Sequence, residues 1–280
     1  MKLLCLADLH AHNFSQFSTR LDNGRNSRFQ ATLDVLDQAI AVCRQERVDM
    51  VVMAGDIFHS RTKLDIDVVV PVVNKFRLIA QNVRELIILL GNHDMHARVG
   101  GVASIELFKD FAHVIAKPTT ISDDIRMYFV PFMADNEQLR QKLSSIPTCD
   151  ILFLHAFIYE GLPESGKSDL CLTDLPFDRA KYVLAGDIHR RQWLHEGRFH
   201  YIGSPLQQDM GERGEEKAFT LIDTATWDFR TVPTVAPRFY LLEWNDAVSP
   251  LLGDPEKDHI RIRYQEKWDK QAQALKARHP

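Results

Sequence analysis

The stretch IILLGNHDMH, residues 87–96, is the most informative part of the sequence. An apolar run, typical of a buried strand, turns at Gly91 and ends in Asn92, His93 and Asp94. An amide, an imidazole and a carboxylate are costly to bury at the end of a core strand unless a bound group compensates them. The stretch therefore predicts a strand that delivers polar side chains to a functional site.

Four further apolar runs end in the same kinds of side chain: LLCLADLHAH, MVVMAGDIFH, DILFLHAF and YVLAGDIHRR. The carboxyl ends of strands in an open α/β sheet meet at one edge, so these side chains are expected to converge. Asp8 and His10 stand at i and i+2, which places both on one face of an extended segment, and Asp187 and His189 repeat that spacing. The predicted metal ligands are Asp8, His10, Asp56, Asn92, His155, Asp187 and His189.

This donor set is too large for one ion and suits two that share a carboxylate. Mixed nitrogen and oxygen donors without thiolate favour Mn, Fe or Zn over Ca. A single Gly-Asp or a single histidine would indicate only a turn or a satisfied polar residue. Because five strand ends share the feature, we favour two divalent metal ions, with Mn expected and Mg, Fe or Zn as alternatives.

Strands and helices alternate in the first half of the sequence, which is typical of βαβ units. Closely spaced strands follow from about residue 182. The pattern predicts helices over 28–47, capped by Ser27, and over 64–82, 102–111 and 266–278. Predicted strands cover 2–7, 48–54, 86–90, 126–130, 151–155, 182–185, 200–202, 218–223, 238–244 and 259–264. Two packed sheets flanked by helices fit this order, and the proline-rich 232–239 predicts a boundary between domains 1–235 and 236–280.

Composition restricts the class of protein. The net charge of −4 over 280 residues excludes a generally basic nucleic-acid-binding protein, so any DNA contact must be local. No run reaches the roughly 18 apolar residues of a membrane span. The four cysteines form no C-x-x-C pair, which indicates reduced thiols and a cytoplasmic protein. Basic residues near the metal motifs are candidate DNA contacts, although such residues are often only solvated: Arg20, Arg25, Arg28, Arg61, Lys63, Arg98, Arg190 and Arg191.

Five motifs in this order, DLH, GDIFH, GNHD, the isolated His155 and GDIH, resemble the calcineurin-like metallophosphoesterases over about residues 1–225. The resemblance implies an α/β fold, a four-layer αββα sandwich of two mixed β-sheets, here with a short partial capping segment. It assigns one metal to Asp8, His10, Asp56 and His189, and the second to Asp56, Asn92, His155 and Asp187, with Asp56 bridging.

GDIFHSR and GNHD are similar to DNA-repair exonuclease subunits of the SbcD type. That branch implies a 3′–5′ exonuclease with single-strand endonuclease activity, acting on DNA as a homodimer with an SbcC-type ATPase. Two departures are visible. Asp187 stands where the family has histidine, and only a short segment follows Pro237, so the cap is expected to be reduced or truncated.

Three further residues are predicted to be catalytic. The resemblance places His93 against the scissile phosphate, where it donates a proton to the leaving oxygen or stabilises its charge. Asp94 either orients His93 or caps the turn, and His59 supports a ligand or contacts phosphate. Two other functions stay open: a phosphodiesterase or phosphatase for small molecules, and an inert scaffold that recruits an ATPase.

Overall fold

The chain forms two large sheets, a small third sheet and three α-helices within the residues that the computed structural model describes, which are 1–96, 101–166, 168–243 and 257–263. The helices are α1 (Ser27–Glu46), α2 (Ile66–Ala80) and α3 (Asn136–Leu143). The strands are β1 (Lys2–Leu6), β2 (Met50–Met53), β3 (Glu85–Leu89), β4 (His113–Ile115), β5 (Thr119–Ser122), β6 (Arg126–Val130), β7 (Cys149–His155), β8 (Ala180–Gly186), β9 (Gln192–Leu194), β10 (Phe199–Tyr201), β11 (Ala218–Asp223), β12 (Asp228–Pro233), β13 (Phe239–Glu243) and β14 (His259–Arg263).

Both large sheets are mixed. The first has the order β12-β11-β1-β2-β3-β4, with β1 to β4 parallel and β11 and β12 antiparallel. The second has the order β5-β6-β7-β8-β10-β9, with antiparallel strands only at its two edges. The parallel strands in the middle of each sheet align their carboxyl ends at one edge, as the motifs predicted.

The strands bury side chains on both faces, which explains why they are nearly continuous in apolar residues. In β1, Leu3 and Cys5 pack toward the second sheet, whereas Leu4 and Leu6 pack with residues of α1 and α2. Leu139 and Leu143 of α3 cover the far face of the second sheet, together with loop residues. The four-layer αββα fold is therefore confirmed, with a thin fourth layer.

Two helix predictions need correction. Asn26, rather than Ser27, caps α1, because its side-chain oxygen accepts from the N–H groups of Arg28 and Phe29. The helix predicted over 102–111 is a short 3-10 helix, Ser104–Phe108. The helix predicted over 266–278 lies outside the described residues.

The segment after β12 contributes β13 and β14, which pair in parallel as a separate two-stranded sheet. Phe239 at the start of β13 is buried, and its N–H donates to the side chain of Gln207 at 2.7 Å. The capping domain over 236–280 stays a prediction. Within the described part of the chain, every helix is too short or too polar to cross a bilayer.

Candidate metal centre

All seven predicted ligands lie at one edge of the two sheets. Asp8 and His10 follow β1, Asp56 follows β2, and Asn92 follows β3, so three adjacent strands of the first sheet supply four donors. His155 ends β7. The remaining two, Asp187 and His189, follow β8, which is the neighbour of β7 in the second sheet.

The backbone at these strand ends is held in a sparsely populated conformation. Asp8, His10, Asp56 and Asp187 have positive φ angles of 53°, 46°, 59° and 93°. Left-handed φ is unfavourable for residues with a Cβ and persists where the surroundings impose it, often at functional sites. Here, the backbone N–H of Asp8 donates to the carbonyl of Gly55 at 3.1 Å, which ties the first two motifs together.

Two glycines allow the strand ends to approach this closely. A Cβ on Gly55, whose φ is +97°, would lie 2.2 Å from Nδ1 of His155. A Cβ on Gly91 would lie 2.2 Å from Oδ1 of Asp56. The glycine before each polar group is therefore needed because a ligand side chain from another strand occupies that space.

One group of donors surrounds His10. Its Nε2 lies 3.0 Å from Nε2 of His189 and 3.6 Å from Oδ2 of Asp56. Donor atoms of Asp8, His10 and His189 all fall within 4.8 Å of one another. This is the set predicted for the first metal.

A second group surrounds His155, whose Nδ1 bonds to the carbonyl of Ala54 at 2.8 Å. In that bond Nδ1 carries the ring proton and donates it to the carbonyl, which leaves Nε2 facing the other donors. The Nε2 atom lies 3.5 Å from Oδ1 of Asp56, 3.6 Å from Oδ1 of Asp187 and 3.0 Å from the Asn92 amide. Asp56 thus directs one oxygen to each group, as expected of a bridging carboxylate.

The chemistry of the donors fits two divalent cations. The Asn92 amide lies 2.9 and 3.2 Å from the two Asp56 oxygens. The Asn92 oxygen faces these two carboxylate oxygens, and its nitrogen faces the guanidinium of Arg61 at 3.0 Å. An oxygen that faces two carboxylate oxygens is unfavourable unless a cation lies between them, and the Asn92 oxygen would then serve as one of its ligands. Several buried oxygen and imidazole donors with no thiolate are typical of Mn, Mg, Fe or Zn sites.

Electrostatics show how strongly the centre requires positive charge. Burial raises the pKa of Asp8 to about 7, although His155 and His189 oppose the shift. Burial also acts to raise the pKa of Asp56, but His155 and His10 outweigh it and hold that pKa well below its usual range. Burial acts to lower the pKa of His155, yet Asp56 and Asp187 raise it well above normal. Protons here would compete with metal ions for the same donors.

His93 stands beside this centre with a fixed ring. Its Nδ1 lies 2.6 Å from the carbonyl oxygen of His59 and must carry a proton to donate to it. Its backbone N–H donates to Oδ1 of Asp56 at 2.8 Å. The other ring nitrogen, Nε2, is left for a substrate, and His93 lines the cavity over the metal centre.

Asp94 does not make the predicted orienting contact with His93; the carbonyl of His59 makes it instead. The Asp94 side chain turns back into the GNHD loop and is 1% exposed. It accepts four hydrogen bonds, from the N–H groups of Gly91, Asp56 and Ile57 and from the hydroxyl of Ser104. Asp94 therefore holds the GDIFH and GNHD motifs together. Of its two predicted roles, this contact pattern corresponds to stabilising the turn rather than orienting His93.

Two residues behind the donor groups escaped sequence reasoning. Glu212 accepts from Nδ1 of His189 at 2.6 Å and from Nζ of Lys217 at 2.7 Å. Burial acts to raise the pKa of Glu212, but His189 and Lys217 outweigh it and lower that pKa to about 2. Carboxylates behind metal-binding histidines fix the ring tautomer and orientation. Both residues lie in the 199–223 segment, which resembles the corresponding segment of SbcD-type nucleases but in which no residue was assigned a role.

Glu212→Gln is expected to weaken metal binding at the first group about 10- to 100-fold. Glutamine loses the charge that holds His189, and its amide nitrogen would face the Lys217 ammonium. Mn²⁺ titration by calorimetry measures the effect. Glu215→Gln is the matched control, because Glu215 also bonds Lys217, at 2.9 Å, without touching His189. Equal Mn²⁺ affinity in both variants would contradict the role of Glu212.

The predicted DNA contacts separate into distinct environments. Arg61 lies beside Asn92, at the metal centre. Arg190 pairs with Glu215 at 3.1 Å, and Arg191 donates to the hydroxyls of two threonines. The loop residues Arg20 and Arg25 are outside the cavity lining, and Arg98 lies outside the described residues. Arg28, by contrast, lines the cavity.

That cavity has a volume of about 480 Å³ and lies directly over the metal centre. The predicted catalytic residue His59 is exposed at its wall. Partial desolvation and the nearby His93 and His12 lower the pKa of His59 to about 4, which keeps its ring neutral near pH 7. The arrangement can hold a phosphate ester against two cations, with two imidazoles on one side.

Three known proteins illustrate what this chain is similar to. A subunit of the SbcCD nuclease of Bacillus subtilis (strain 168) is 24% identical, over 88% of this chain and 73% of that protein. A DNA double-strand break repair protein Mre11 from Sulfurisphaera tokodaii is 29% identical, over 70% of this chain and 54% of the relative. A dimetal phosphatase from Danio rerio superposes with a TM-score of 0.47 at 12% identity, covering 79% of this chain and 91% of that one.

The family profile described as calcineurin-like phosphoesterase matches residues 1–202. This range includes all five strand-end motifs and all seven predicted ligands. The second large sheet is complete by Tyr201. The chain belongs to the calcineurin-like phosphoesterase family.

Proposed function

We propose that this chain is a two-metal phosphodiester hydrolase that cuts DNA, as a 3′–5′ exonuclease with single-strand endonuclease activity. The observation that carries the proposal is the position of Asp56 between the two donor groups. One of its oxygens faces His10 and the other faces His155. The DNA substrate is supported by the similarity to an SbcCD nuclease and to Mre11, a break-repair protein.

In this mechanism, each side chain has a stated task. Asp8, His10 and His189 would hold one ion, Asn92, His155 and Asp187 would hold the other, and Asp56 would contribute an oxygen to each. Bound ions of this kind neutralise phosphate oxygens and lower the pKa of a coordinated water to near neutrality. His93, with protons on both ring nitrogens, donates the Nε2 proton to the leaving oxygen and becomes neutral, while the Nδ1 proton stays hydrogen-bonded to the His59 carbonyl and fixes the ring. His59, neutral and exposed, contacts a phosphate oxygen.

Three further proposals accompany this one. Mn²⁺ is the expected native ion, because Asp187 adds an oxygen donor where the family has nitrogen and so favours a harder cation. The partners are DNA, a second copy of the chain and an ATPase of the SbcC type. The Cys5, Cys43 and Cys149 thiols are buried and unpaired, which supports a reducing, cytoplasmic location.

End-labelled linear DNA and bis-p-nitrophenyl phosphate, each incubated with Mn²⁺, test the proposal. We expect hydrolysis of both, with label released stepwise from 3′ ends. Hydrolysis of the small diester alone would support the small-molecule phosphodiesterase instead. A folded, metal-loaded protein that cuts neither would overturn the enzymatic proposal in favour of the inert scaffold.

A further inference from the structure

Three aromatic rings form a cluster at the cavity wall that the proposed chemistry leaves mostly unused. The ring centroids of His12 and Phe14 are 5.0 Å apart, those of Phe14 and His59 are 4.9 Å apart, and those of His12 and His59 are 5.3 Å apart. All three residues line the cavity. An apolar ring at the wall of a polar catalytic cavity indicates a contact with a flat or apolar part of the ligand.

Phe14 is held in place rather than carried on a free loop. The guanidinium of Arg28 lies 4.2 Å from its ring centroid, and the amide of Asn26 donates to its backbone carbonyl at 2.8 Å. Arg28 is only 8% exposed and donates to the carbonyls of Gln16 and Gln208. Among the described residues, no carboxylate lies within ion-pair distance of it. Asp209 and Glu212 act on it only at longer range, and the Phe14 ring is a direct contact of its guanidinium.

The cluster begins one ring away from His93. A single ring, that of His59, separates Phe14 from His93, with centroid separations of 4.9 and 5.5 Å. His93 is the group that faces the scissile phosphate in the proposed function. A base attached through one sugar to that phosphate would reach the Phe14 ring, whereas a simple alkyl ester would not.

We propose that His12, Phe14 and His59 form a stacking platform for the nucleobase next to the scissile phosphate. The proposal rests on the proposed function and deepens it by naming the form of DNA that is bound. A base can stack on the platform only when it is unpaired. The substrate class is then a single strand or a frayed end rather than intact duplex. Stacking on aromatic side chains tolerates every base, so no sequence preference is expected.

Two small esters isolate the contribution of the base: the p-nitrophenyl ester of thymidine 5′-monophosphate and methyl p-nitrophenyl phosphate. The ratio of their kcat/KM values is measured with Mn²⁺ for wild type, Phe14→Leu and Phe14→Trp. We expect wild type to prefer the nucleotide ester, and Phe14→Leu to lower the ratio about 5- to 150-fold. Phe14→Trp should retain it, since tryptophan also stacks.

Phe17→Leu is the matched control on the same loop. The Phe17 ring packs on Phe239, with centroids 5.4 Å apart, and is outside the cavity lining. The ratio of kcat/KM values for the two esters in Phe17→Leu should equal that of wild type. A wild-type ratio near one, or an equal loss of both esters in Phe14→Leu, would overturn the platform. Failure to cut DNA while the ratio behaves as expected would instead refute the nuclease function.

Discussion

Replacing Asp56 with asparagine is expected to lower kcat/KM for a phosphodiester by on the order of 10³-fold or more and to reduce bound Mn²⁺ from two ions to at most one. Asp56 is 2% exposed, and its oxygens lie 3.6 Å from Nε2 of His10 and 3.5 Å from Nε2 of His155. Asparagine keeps the volume but removes the charge and one of the two oxygens. The remaining oxygen could serve one ion, so the two ions would no longer share a ligand.

The measurements are metal content after dialysis, by mass spectrometry, and hydrolysis of bis-p-nitrophenyl phosphate. Asp67→Asn is the control, because Asp67 is an exposed carboxylate that bonds to Asn13 at 3.1 Å, next to the cavity, and is no predicted ligand. It should keep both ions and the activity. Two ions in Asp56→Asn would show that Asp56 does not bridge.

His93→Ala is expected to retain both ions and to lose about 10²- to 10⁴-fold in kcat. The ring donates to the His59 carbonyl through Nδ1, so its loss removes the proton donor and leaves the donor groups around Asp56 in place. The loss should be greater on DNA than on bis-p-nitrophenyl phosphate. An alkoxide leaving group needs protonation, whereas p-nitrophenolate leaves without it.

Added imidazole provides a second readout for His93→Ala, because a free imidazole can occupy the cavity and restore proton donation. A purely structural role would not be rescued in this way. His113→Ala serves as the control, since His113 is exposed at β4 and contacts Glu85 at 3.3 Å. Equal losses on both substrates without rescue would contradict proton donation by His93.

Sequence predicted the ten strands that carry the two cores and the C-terminal pair, because long apolar runs between turn residues determine them. It missed β4, β5, β9 and β12. β4 and β9 have only three residues, and β5 and β12 are partly exposed edge strands, so their residues show little apolar periodicity. It also missed α3, whose polar sequence buries only Leu139 and Leu143.

The strand-end donors were predictable because each lies at the end of a buried strand. Parallel pairing of these strands places their carboxyl ends at the same edge of a sheet. Contacts made by backbone groups could not be predicted from the sequence. The carbonyl of His59 orients His93, and nothing in its residue type indicates that role. Glu212 reaches His189 from 23 positions away through the irregular segment after β10. Only the three-dimensional path of that segment identifies its carboxylate among many others.

The number and coupling of bound Mn²⁺ ions test the proposed centre most directly. Metal-free protein titrated with Mn²⁺ should bind two ions per chain, and its electron paramagnetic resonance spectrum should show spin coupling between ions roughly 3.5–4 Å apart. Two bound ions with a coupled spectrum would establish the shared centre at Asp56. A single bound ion, or two uncoupled ions, would contradict it.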